Sequence, residues 1–314
     1  MLINLLSKYR TELMGFSMLM VMIFHTIGGI HVPGISFKPF ICFDFGVEFF
    51  IVLSAIGCTY SLERNSDTAS FYKRRLKRIL PAFLIVVTLD FIVYDIVLSD
   101  NISPLSFFRK LFFVSFLDGD ISFWFILYIM ACYLLTPYIY KGRGSIVLMC
   151  LIGVITLVLF AYGFNNNRNQ NVLMYRLPIY FITLVCMNYA RKQQLRLNFI
   201  ILGTFTMIVY ASLILFIQYP YKYLLYMIAA IPCVIFVAMV IDKIKSQRIH
   251  MILSFIGGIS LELYLIHEKM LFLSDMISTN IIFRIIFSFA LAITLSYLLH
   301  NSLSKIKFLS LRSY

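Results

Sequence analysis

One histidine, His25, sits in the apolar run RTELMGFSMLMVMIFHTIGGI at residues 10–30. A neutral imidazole beside a hydroxyl can take its proton, which is general-base chemistry, and that role requires a carboxylate to orient the ring. Two carboxylates, Asp44 and Glu48, follow four residues apart in FDFGVEFF, the spacing that puts both on one face of a helix. Further polar groups interrupt other apolar runs: Ser122 and Trp124 in SFWFILY, Arg176 in MYRLPIY, Glu262 and His267 in SLELYLIHEKM. A different pattern stands in FYKRRLKRILPAF, where Lys73, Arg74, Arg75, Lys77 and Arg78 place five cations in six residues. Such a run reads either as a topology anchor or as a phosphate site in which planar guanidiniums bind bidentately.

The composition says what kind of element must carry these groups. Of 314 residues, 61% are hydrophobic and 13% charged, and the mean hydropathy is +0.91. A soluble globule built this way would lack enough polar side chains to cover its surface, so the chain reads as a polytopic membrane protein. The net charge of +13 does not point to nucleic acid, because the Lys and Arg residues lie in short segments between apolar runs. The same segments would meet anionic membrane lipid. The six cysteines, Cys42, Cys58, Cys132, Cys150, Cys186 and Cys233, show no metal-ligand spacing and read as small core residues, so no metal is expected. The first apolar run is followed by no convincing cleavage site and reads as a retained helix.

A bilayer core needs about 20 mostly apolar residues per helix. That template predicts an all-α integral membrane protein with about ten transmembrane helices, at 12–30, 41–62, 79–98, 121–140, 145–163, 172–190, 197–217, 222–241, 251–273 and 281–302. The shorter 103–117, with Arg109 and Lys110, is expected to lie at the membrane interface. On this count 19 Lys and Arg fall in one set of alternate loops and 5 in the other, which predicts both termini cytoplasmic. One domain, 1–314, is expected, with no further soluble domain. With that orientation His25, Asp44, Glu48, Ser122, Trp124, Arg176, Glu262 and His267 fall at one depth, in the outer half of the membrane.

Ionisable groups inside spans are costly and mark function by default. Each also has a plain structural alternative. His25 can be a packing residue bonded to a carbonyl, Glu48 can hold a helix pair, His267 and Glu268 can snorkel from a helix end, and Trp124 can be an interfacial anchor. A phosphate-bearing donor at the basic run and a histidine deep in the membrane would form one machine if the donor had a long thin arm, as acyl-coenzyme A has. From Glu12 to His25 a helix rises about 20 Å, a distance a pantetheine arm could largely cover.

Taken in order, LMGFSMLMVMIFH, FGVEFFIVLSAIG, FYKRRLKRILP, SFWFILYIMACYLLTP, YRLPIYFI and SLELYLIH resemble the acyltransferase 3 family of integral membrane acyltransferases over nearly the whole chain. The resemblance implies ten spanning helices, a cytosolic acyl-CoA donor, and transfer of an acyl group, most often acetyl, to a hydroxyl of a cell-surface polysaccharide or lipid-linked sugar. It also implies a bacterial cytoplasmic membrane. It carries the catalytic role to His25, the donor-binding arginine pair to Arg75 and Arg78, and the arginine before a proline to Arg176. Many members have R-x10-H in the first helix. Here that arginine position is Met14, and the nearest arginine is Arg10, one turn away on the same face. LSAIG also replaces the commoner LSG.

The mechanism expected from these residues has His25 as general base or as an acyl relay. Glu48 is its first-choice orienting group and Asp44 the second. Arg176 would stabilise the thioester oxyanion or grip an acceptor phosphate, and Arg10, Lys73, Arg74, Arg75 and Arg78 would hold the donor. Asp44, Ser122, Trp124, Glu262 and His267 would form the acceptor or a secondary site. The rival is a transporter or exporter of a glycan or small acid, for which a polar layer at one depth is equally suited.

Overall fold

The computed structural model describes residues 2–27, 40, 42–98, 103–118, 120, 122–142, 154, 158, 175–192, 198–215, 222–278 and 280–306. The described residues are all-α, and they fall into two compact units. One holds 1–66 and 135–258, the other 67–134 and 259–314.

In the first unit α1 (Leu2–Lys8) and α2 (Arg10–Ile27) lead to a 3-10 turn, Cys42–Phe45, that runs into α3 (Gly46–Arg64). Nearly every side chain of α3 from Gly46 to Ile56 is buried in protein, because this helix packs against α2 and against two later helices. Its approach to α2 is close: Ser17 Oγ donates to Gly46 O at 2.5 Å.

The second unit opens with α4 (Thr68–Asp90), whose N-cap Asp67 accepts from Ser70 N at 2.8 Å. Hydrogen bonds from Ser70 hold the exposed Asp67 carboxyl below its ordinary range. A π-helical segment, Phe91–Leu98, extends α4, and α5 (Pro104–Leu111) folds back on both. On α5, Leu105 and Phe108 are exposed, as is Phe112 just beyond its end. After the 3-10 turn Val114–Asp118, α6 (Trp124–Lys141) begins in the second unit and ends in the first.

The first unit resumes with α7 (Leu177–Lys192), α8 (Phe199–Leu215), α9 (Lys222–Lys243) and α10 (Gln247–Gly258), of which α7 and α9 pack on α3. Among the described residues α10 packs most extensively on α2. A Cβ on Gly15 would lie 2.0 Å from Leu253 O, and one on Gly257 1.9 Å from Thr11 O, so backbone meets backbone there. Gly257→Ala is therefore expected to destabilise the protein by about 1–3 kcal/mol or more, read as a lower melting temperature in detergent. An unchanged melting temperature would refute that packing. The second unit closes with α11 (Ser260–Ile277) and α12 (Ile281–Lys305), both packed on α4.

The expectation of ten spans is corrected by these helices. Among the described residues four are long and apolar enough to cross a membrane: Cys42–Arg64, Trp124–Lys141, Lys222–Lys243 and Ile281–Lys305. They become five if Gln247–Gly258 and Ser260–Ile277, interrupted at Ile259, count as one broken span. The physical reasons are local. The helix expected at 12–30 is the 18-residue α2, which carries Arg10, Glu12 and His25. That at 79–98 is the latter part of a helix begun in the charged run, and it changes to π geometry at Phe91. The span at 172–190 yields a short apolar stretch, Leu177–Met187, and α8 at 197–217 has 17 residues. The span 145–163, apart from two residues, and most of the loops 31–40 and 164–171 lie outside the described residues. Placement of both termini in the cytoplasm counted loops between ten spans, and it goes with that count. What stands is a multi-pass, all-α membrane protein.

Candidate active site

In the first unit the sequence pair Asp44 and Glu48 becomes the centre of a buried ionic set. Asp44 lies in the 3-10 turn and Glu48 in the first turn of α3, so the tighter turn, not a continuous helix, fixes their separation. Pro178 near the start of α7 is pre-set for a helix N-terminus, and the turn just before it aims Arg176 inward. Arg176 is 3% exposed. Its Nε donates to Glu48 Oε1 at 2.7 Å, its Nη2 lies 3.9 Å from Asp44 Oδ2, and its guanidinium stacks over the Tyr223 ring at 4.9 Å. From the start of α9, Lys222 Nζ reaches Asp44 Oδ2 at 2.5 Å, and Tyr226 donates its hydroxyl to Asp44 Oδ1.

Two carboxylates and two cations thus balance in a buried place, which is the condition for burying any of them. Glu48 Oε2 has no hydrogen-bond partner among the described residues.

His25 stands in the last turn of α2, half-buried, with Phe24 edge-on at 5.0 Å between ring centroids. The charge of Asp44 acts on its imidazole. Glu48, the first-choice orienting group, gives Oε1 to Arg176, and the charge named for the ring is that of the second choice, Asp44. Arg10 lies against α3: Nε donates to Leu53 O at 3.4 Å, and a Cβ on Gly57 would meet Nη2 at 2.7 Å. It stands about 22 Å down the helix from His25.

In the second unit the basic run is helical, so the 3.6-residue period spreads it round α4 instead of leaving one patch. Lys73 and Arg78 are exposed, and Arg74, Arg75 and Lys77 are half-buried. The Arg75 guanidinium lies over Phe71 at 5.3 Å and Tyr133 at 5.4 Å. Arg78 Nη1 donates to Glu262 Oε1 at 3.1 Å, and His300 Nδ1 approaches the same oxygen at 3.1 Å. His267 Nδ1 lies 2.8 Å from Tyr264 O and 3.1 Å from Leu263 O, so Nδ1 carries a proton and donates to these carbonyls.

A further network surrounds Ser122. Lys269 Nζ donates to Ser122 Oγ at 3.2 Å and pairs with Asp90 Oδ1 at 2.7 Å, and Lys110 Nζ bridges Asp90 at 2.9 Å and Asp95 at 2.5 Å. Burial opposes the Lys110 charge, but its bonds to Asp95 and Asp90 prevail and hold the ammonium above its ordinary range. Burial likewise opposes ionisation of Asp120, while the Ser122 N–H and hydroxyl hold that carboxyl below its usual range. Trp124, first residue of α6, packs edge-on to Phe125 at 5.8 Å and Tyr128 at 6.3 Å.

Sequence reasoning missed Lys222, Tyr226, Asp90, Asp95, Lys110, Lys269 and His300 as partners in these networks. For Asp90, Asp95, Lys269 and His300 the signal was present: each is an ionisable residue inside an expected span.

Helical, membrane-spanning and lined with buried ionisable side chains, the chain also matches over residues 13–301 the acyltransferase domain of the acyltransferase 3 family, and it belongs to that family of membrane-associated acyltransferases. It is 26% identical over 179 residues to the "Putative acetyltransferase ORF330" of Acidianus two-tailed virus, a match covering 55% of this chain and 53% of that protein. The chain thus aligns with about half the length of that relative. No solved structure matches it.

Proposed function

We propose that the chain, as one acyltransferase domain over 1–314, moves an acyl group, acetyl by preference, from acyl-CoA to a hydroxyl of a cell-surface polysaccharide or lipid-linked sugar. The membrane is a bacterial cytoplasmic membrane. The observation that carries this proposal is the family match over residues 13–301, which includes His25 and the pair Arg75 and Arg78 of the basic run. His25 takes the proton of the acceptor hydroxyl as its oxygen attacks the thioester carbonyl carbon. The C–O bond forms, the C–S bond breaks, and the imidazolium returns the proton to the departing thiolate. In the relay form the imidazole nitrogen attacks the thioester first, the C–N bond forms as the C–S bond breaks and the thiolate leaves with the ring proton; the acceptor oxygen then forms the C–O bond as the C–N bond breaks, and its proton passes to the freed imidazole.

Asp44 supplies the field that orients the ring, and the Arg176–Glu48 pair with Lys222 holds Asp44 in place. Arg75 and Arg78, three residues apart on one face of α4, bind donor phosphate, with Arg10, Lys73 and Arg74 contributing charge. Ser122, Trp124 and His267 belong to the acceptor side.

The test is calorimetric titration of acetyl-CoA into the protein in nanodiscs, beside an Arg75→Ala, Arg78→Ala double variant. Saturable binding by the wild type is expected, weakened about a hundredfold or more in the variant by loss of two charge-assisted contacts. Absence of binding by a folded wild type would reject the donor and favour the transporter.

A further inference from the structure

Within the second unit a fully buried carboxylate stands behind a cation that reaches outward. Glu262 is 1% exposed at its side chain, Arg78 is 44% exposed, and the two are joined at 3.1 Å. His300 reaches the same carboxylate oxygen from α12 at 3.1 Å and is 35% exposed. Three helices that pack on one another, α4, α11 and α12, thus converge on one oxygen. The other oxygen, Oε2, is buried with no hydrogen-bond partner among the described residues. An anion so enclosed is retained only with its cationic partners in place.

Arginine is suited to such an arrangement because its planar guanidinium presents more than one donor edge. One edge can be held by protein while another meets a ligand. A side chain fixed beforehand also loses less rotamer freedom when the ligand arrives.

We infer that Glu262 is a positioning residue for donor binding: it sets the guanidinium plane of Arg78 against a phosphate of acyl-CoA, and His300 braces Glu262 from the opposite helix. This rests on the proposal that Arg78 binds the donor.

The experiment is a double-mutant cycle on acetyl-CoA binding by the full chain in nanodiscs, using wild type, Glu262→Gln, Arg78→Ala and the double variant. Glu262→Gln keeps the size of the side chain and an acceptor oxygen but removes the charge, and it should weaken binding about tenfold. In the Arg78→Ala background the same substitution should change nothing, because the residue it positions is gone. A purely structural carboxylate would give equal losses in both backgrounds, and that result overturns the inference, as does unchanged binding by Glu262→Gln. Should Glu262→Gln not fold, Glu262→Asp, which keeps the charge but withdraws it by one methylene, is read in the same way. Binding lost in Arg78→Ala but retained in Glu262→Gln removes this inference alone, whereas a folded wild type that binds no acetyl-CoA removes the donor proposal and this inference together.

Discussion

His25→Ala should lower acyl transfer by about 10²- to 10⁴-fold, the range of a general base, while membrane abundance, melting temperature and acetyl-CoA affinity stay at wild-type values. The pattern matters more than the size of the loss. His25 is half-buried in the last turn of α2, beside Phe24 and under the field of Asp44. Removal of the imidazole takes away the proton acceptor that the mechanism needs. A His25→Ala variant of full activity would end the mechanism in both its forms. A loss that followed protein abundance would make His25 a packing residue.

Arg176→Met should produce the opposite pattern, a loss of folded protein that precedes any change in turnover. The substitution would leave Glu48, at 0% exposure, facing the place of a guanidinium that stood 2.7 Å away. Breaking a buried pair by removing one partner costs about 3–5 kcal/mol, enough to unfold many domains outright. The double variant Glu48→Gln, Arg176→Met, with the stranded charge removed, should recover part of that stability. Thermal unfolding in nanodiscs reads both variants. Wild-type melting with reduced turnover in Arg176→Met would instead return Arg176 to the oxyanion role.

How far these networks could be foreseen depends on what a residue pattern records. The Asp44 and Glu48 spacing placed two carboxylates together, and the structure keeps them together on a 3-10 turn and the first turn of α3. Their partners came from distant parts of the chain. Lys222 read as a loop charge, and Arg176 read as a ligand for substrate oxygen. Nothing in a single sequence says that α7 and α9 pack against α3. The basic run shows the converse problem, because five adjacent cations on a helix point in different directions, and one of them, Arg78, is partly occupied by Glu262.

The span count failed for a related reason. A hydropathy window scores apolar content without requiring a helix of spanning length, so α8, with 17 residues, and α2, which carries Arg10, Glu12 and His25, count as spans. A window of about 20 residues also passes over interruptions at Phe91 and Ile259 that divide the helices themselves. The all-α class was legible because hydropathy alone carries it.

The most direct test of acyl transfer follows the label. Acetyl-CoA carrying a labelled acetyl group is incubated with membranes containing the wild-type protein and with membranes containing His25→Ala at equal abundance, and the carbohydrate fraction is treated with mild base. The account predicts base-labile acetyl ester in the wild-type fraction and background label with His25→Ala. Equal label in the two fractions, or none in either although the wild-type protein binds acetyl-CoA, would contradict it.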